Sequence, residues 1–102
     1  MFDAATIDLH NLPPELDRMV QTLLIVSYEG CTDVGELMRR LYGNVSDYTP
    51  KQQDECCTQY ARILMKMYAC KWITAPDAEF VALTAAGVEA ADTMREFYRN
   101  NP

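Results

Sequence analysis

Between Tyr60 and Arg99 the hydrophobic pattern changes period twice, and that change constrains the fold more than any other feature of the chain. A helical stretch ending near Cys70 runs into the short apolar pair Trp72-Ile73. The sequence Ala75-Pro76-Asp77-Ala78 has the composition of a turn, and a second apolar run, Phe80-Val81-Ala82-Leu83, follows it. Thr84 then suits the N-cap of another helix, with Val88, Ala91, Met94 and Tyr98 on one stripe and Phe97 beside it. The expectation is helix, two-stranded ribbon over roughly 71–75 and 79–83, then helix.

Upstream, three further helices are delimited by local signals. Pro13-Pro14 opens the first, with Glu15 and Asp17 at its positive end. Leu16, Met19, Val20, Leu23 and Leu24 recur at helical spacing, and Ile25, Val26 and Tyr28 widen the stripe almost to the full circumference. A helix so apolar is either central to the core or shared with a second chain. Gly30 ends it.

Thr32 or Asp33 caps the second helix, with Glu36 at capping-box spacing from Asp33. Its inward face is Val34, Leu37, Met38 and Leu41, and Gly43-Asn44 stops it. Thr49-Pro50 starts the third. Its expected inward stripe is Cys57, Tyr60, Ala61, Leu64, Met67 and Tyr68, leaving Lys51, Gln52, Glu55, Thr58, Gln59, Arg62 and Lys66 outward. Residues 1–12 read as an N-terminal arm carrying Phe2, Ile7, Leu9 and Leu12, and 13–102 as one domain.

Composition excludes several classes. With 49% hydrophobic residues the chain has the apolar content for a packed core. No apolar run approaches the roughly 20 residues of a membrane span, and the first residues lack the basic start of a secretory signal, so the expected location is the cytoplasm. Cys31, Cys56, Cys57 and Cys70 lack zinc-ligand spacing, and the single histidine, His10, lies in the arm. The cysteines are therefore expected as buried thiols on helices, and no metal or cofactor is implied. No Gly-rich phosphate loop or nucleophile–histidine–acid set is present, so catalysis is not expected.

Two segments carry a family resemblance. Thr32–Ser46, with Glu36-Leu37, Arg39-Arg40-Leu41 and the Gly43 turn before Val45-Ser46, looks like the first half of a helix-turn-helix unit. Trp72-Ile73 through Leu83-Thr84-Ala85-Ala86-Gly87 is similar to winged-helix regulators of the MarR and PadR type, in which a strand ends in Leu-Thr and Gly follows three residues later. The resemblance spans roughly residues 14–99. It implies a mainly α winged-helix-like domain of three helices, a wing hairpin and a C-terminal helix, acting as a dimeric regulator on double-stranded DNA.

There are two departures. The chain between Val45 and the ribbon is longer than a recognition helix needs, which requires an extra turn or a lengthened third helix. The wing tip, Pro76-Asp77-Ala78-Glu79, is short and acidic where phosphate contact would want Lys or Arg.

On that reading the DNA-facing candidates are Arg39, Arg40, Lys51, Gln52, Thr58, Gln59, Arg62 and Lys66. Gln can pair with adenine and Arg with guanine in the major groove. The dimer seam would use Leu16, Val20, Leu24, Tyr28, Met94, Phe97 and Tyr98. Nine basic against fifteen acidic residues give a net charge of −6, which runs against affinity for a polyanion. That sign keeps an alternative open: an acidic interaction module, an inhibitor or adaptor (a viral one included), that binds a basic surface of a larger protein and no DNA.

Overall fold

A computed structural model describes residues 12–77 and 79–100. Helix α1 spans Pro14–Glu29, followed by a two-residue strand β1 at Thr32–Asp33 and helix α2 at Val34–Tyr42. A single 3-10 turn at Val45–Asp47 leads into helix α3, Pro50–Ala69. Strands β2 (Ile73–Asp77) and β3 (Phe80–Leu83) precede helix α4, Ala85–Asn100. The fold is mainly helical, with a small antiparallel sheet in the order β1-β3-β2. Of the expected arm over residues 1–12, residues 1–11 lie outside the described residues, and Leu12 packs beside Val20 and Met94. Among those described, no helix is long and apolar enough to cross a membrane.

The caps form as the local sequence dictates. Asp33 Oδ1 accepts the Glu36 N–H at 3.0 Å at the start of α2. At α3 the capping box closes in both directions: Thr49 Oγ1 accepts the Gln52 N–H at 3.2 Å, and Gln52 Oε1 accepts the Thr49 N–H at 3.0 Å. Thr84 Oγ1 accepts the Gly87 N–H at 3.1 Å at the start of α4. The C-terminal end of α3 closes through Lys71, a non-glycine residue at φ 61°, with Trp72 N–H bonded to the Met67 carbonyl at 3.0 Å and Lys71 N–H to that of Tyr68 at 2.9 Å.

The ribbon expectation needs correction. The sheet has three strands, because Thr32 pairs with Val81 and Asp33 with Phe80. A two-residue strand has no period of its own, so it leaves no hydrophobic signature. Strand β2 also starts and ends two residues later than expected, whereas β3 starts one residue later and ends at Leu83 as expected. Ile73 pairs with Leu83, Thr74 with Ala82 and Asp77 with Phe80, and the register slips between Thr74 and Asp77. Pro76 falls in that irregular segment of β2, at the sheet edge, where a missing N–H costs no ladder bond.

One core joins Met19, Leu23 and Val26 of α1, Leu37 and Leu41 of α2, and Tyr60, Ile63 and Met67 of α3 with Trp72, Ile73, Val81 and Ala91. Val34 N–H donates to the Glu79 carbonyl at 2.8 Å, and Tyr60 Oη donates to the Val34 carbonyl at 2.7 Å, tying hairpin, α2 and α3 together. Burial pushes the Tyr60 phenol far above its ordinary pKa.

The buried face of α3 is rotated from the expected one. Ile63 is fully buried, whereas Cys57, Ala61 and Tyr68 are exposed. On α4 the buried positions are Gly87, Ala91 and Met94, and Val88 faces outward. Apolar residues on both sides of each helix leave the stripe's phase ambiguous until a partner is known. The cysteines also depart from expectation: Cys31 and Cys57 are exposed, and Cys56 and Cys70 are half-buried.

Candidate nucleic-acid interface

Helix α3 projects one long face to solvent. Because its first turn is capped by side chains and its buried residues recur at Tyr60, Ile63 and Met67, the opposite face presents Lys51, Thr58, Arg62 and Lys66. Between them Ala61, Met65 and Ala69 line a shallow concavity of about 680 Å³ together with Thr58, Arg62 and Lys66. Met65 is 71% exposed, a large apolar side chain standing in solvent in the middle of this face.

Most of the candidate side chains are already engaged. Arg62 Nε donates to Glu15 Oε2 at 3.1 Å, and Lys66 Nζ donates to Glu15 Oε1 at 2.6 Å. One carboxylate from the first turn of α1 thus bridges two cations on successive turns of α3. The Lys66 hydrogen bond, reinforced by both positive charges, holds the Glu15 carboxyl below its ordinary pKa. Arg39 pairs with Glu36 through its Nε at 3.1 Å and through a second nitrogen, which lowers the Glu36 pKa in turn. Arg40 pairs with Glu29 and lies 3.6 Å from Glu36. Of the cations proposed for DNA contact, Lys51 alone has no acidic partner among the described residues.

Two glutamines have local duties. Gln52 is held by the cap it completes. Gln59 does not face outward as expected: it is half-buried, and its Oε1 accepts a hydrogen bond from Tyr42 Oη at 2.6 Å. The spiral of α3 carries residue 59 toward α2, where a buried phenol needs an acceptor. Thr58 is exposed as expected. The structure therefore brings Thr58, Arg62 and Lys66 onto one line, and sets Arg39 and Arg40 apart on α2.

The seam residues divide differently. Val20 and Met94 are 2% and 1% exposed, packed together inside the single chain, with Leu24, Phe97 and Tyr98 half-buried around them. Leu16 packs on the main core. Tyr28, at 88% exposed, is the one seam residue standing free in solvent.

Two features escaped the linear reading. Glu15 reads in sequence only as a first-turn acid suited to the helix dipole, and its partners lie 47 and 51 residues away. Arg18 bonds the Leu41 carbonyl and sits 4.8 Å over the Tyr42 ring, pinning α1 to the end of α2. Neither pairing has a local pattern that could have announced it. A comparison of the chain with protein-family models, curated proteins and solved structures finds no match.

Proposed function

We propose that the chain is a small, non-catalytic winged-helix regulator that lays α3 against double-stranded DNA as a homodimer. The observation that carries this reading is topological. Three helices, a hairpin and a C-terminal helix follow one another in the order the resemblance implies, with β1 as an added third strand outside that expectation, and apart from the Glu15 side chain the face of α3 is left uncovered by any other described element. The extra length noted between Val45 and the hairpin is taken up by the 3-10 turn and a 20-residue α3. The ion pairs on that face do not bar phosphate. Exposed pairs contribute about 0–1 kcal/mol, which a polyanion can offset by releasing its counterions.

A second reading has its own support. Arg39, Arg40, Arg62 and Lys66 each have a glutamate partner, the hairpin tip carries Asp77 and Glu79, and Ala61, Met65 and Ala69 form an apolar centre on α3. Those features suit a protein surface better than a phosphate backbone. In that case the chain is an acidic interaction module on the same scaffold.

A gel-shift titration against random and genomic duplexes at about 50 mM salt separates the two, since electrostatic binding is strong there. The DNA reading expects a shift that Arg62→Ala and Lys66→Ala weaken, each flattening the log–log salt slope by about 0.9 per lost phosphate contact. No shift at high protein concentration would sink it and leave the interaction module.

A further inference from the structure

We infer that the Arg62–Lys66 pair is a seat for one backbone phosphate, and that Glu15 occupies it as an internal competitor which sets the affinity for nucleic acid. The inference rests on the DNA reading above. Two cations one helical turn apart grip the two oxygens of a single carboxylate, at 3.1 Å from Arg62 Nε and 2.6 Å from Lys66 Nζ. A phosphodiester offers the same thing, two non-bridging oxygens sharing one negative charge. The side chains of Arg62 and Lys66 are each 54% exposed, so both can be reached from solvent without moving the core. Thr58 lies one turn before Arg62 on the same exposed line, where its hydroxyl can donate to a neighbouring phosphate.

Glu15 is not needed there for folding in the way a buried ion would be. It sits in the first turn of α1, whose hydrogen bonds are in place without its side chain, and its partners are surface groups. Its effect is electrostatic. With Glu15 charged, the three side chains sum to one positive charge; with Glu15 neutral they sum to two. A phosphate arriving at the pair must displace a carboxylate that stays tethered close by.

The test is fluorescence anisotropy with a labelled duplex between about 50 and 200 mM salt, using wild type, Glu15→Gln, Glu96→Gln, and Glu15→Gln combined with Arg62→Ala and Lys66→Ala. Removing one negative charge about 4 Å from the phosphate should tighten binding about fivefold. Glu96→Gln makes the same change in net charge from an exposed position on α4, and its affinity should stay within about twofold of wild type. The triple variant should lose the whole gain. A wild type that binds duplex while Glu15→Gln binds no tighter overturns the inference and leaves the DNA reading intact. A gain shared equally by Glu96→Gln, or one that survives in the triple variant, overturns it as well. If neither wild type nor Glu15→Gln binds at about 50 mM salt, the reading and the inference fall together. Circular dichroism on each variant confirms that the fold is kept.

Discussion

Replacing Gly87 by alanine sets two physical effects against each other with opposite signs. Gly87 lies in the first turn of α4, where helix propensity alone favours alanine by up to about 1 kcal/mol. The tertiary structure says otherwise. A β-carbon at Gly87 would stand 2.0 Å from the Trp72 carbonyl oxygen, 2.9 Å from its carbon and 3.2 Å from Leu83 Cδ2. The first two neighbours are backbone, so no rotamer can give way. The carbonyl belongs to the residue that leads into β2, and it accepts the Thr84 N–H at 3.0 Å. Separating them to an ordinary contact takes about 1.4 Å of movement at the junction of α3, the hairpin and α4. Overpacking of that kind costs about 1–3 kcal/mol, and loosening the Thr84 bond adds about 1 kcal/mol. Set against the propensity gain, the net loss is about 2 kcal/mol, or a fall in Tm of about 10 °C for a domain of this size. Thermal and urea melts followed by circular dichroism read it directly. A Tm for Gly87→Ala equal to or above that of wild type would refute the close approach and with it the packing of α4 on the hairpin.

The rotated face of α3 predicts that Ile63→Ala lowers stability by about 2–5 kcal/mol while Met65→Ala stays within about 0.5 kcal/mol, read from urea midpoints; equal effects would restore the face expected from sequence. The pH dependence follows from Glu15 and Glu36, whose folded-state pKa values lie below their ordinary ones. A depressed carboxylate pKa contributes stability that is present above the unfolded value and lost as pH falls through the folded one. Stability should therefore decline below about pH 4.5, and Glu15→Gln should decline less steeply there; parallel wild-type and variant curves in urea melts between pH 3 and 7 would remove Glu15 as a contributor. For the assembly, light scattering at micromolar concentration should give twice the 11.6 kDa chain mass, and a single-chain mass would remove the homodimer from the proposed function.

The sequence by itself determined what depends on near neighbours. Thr49-Pro50 with Gln52, Asp33 with Glu36, and Thr84 with Gly87 are contacts three residues apart, and each formed where its residues stand. The change of period at Trp72 likewise placed the hairpin to within two residues. Tertiary structure decided everything that needs a partner from elsewhere in the chain. Strand β1 exists only because Val81 and Phe80 lie beside Thr32 and Asp33. Ile63 rather than Ala61 faces inward because α3 meets α1 and α2 on that side, and a helix with apolar residues on both flanks of its buried stripe does not announce which flank that is. Gln59 turned inward to serve Tyr42. The candidate site shows the same division. Arg62 and Lys66 were legible as outward cations one turn apart, because helical spacing is local. That one glutamate from α1 holds both was not, because a charge pair depends on distance in space, and spacing along the chain carries no record of it.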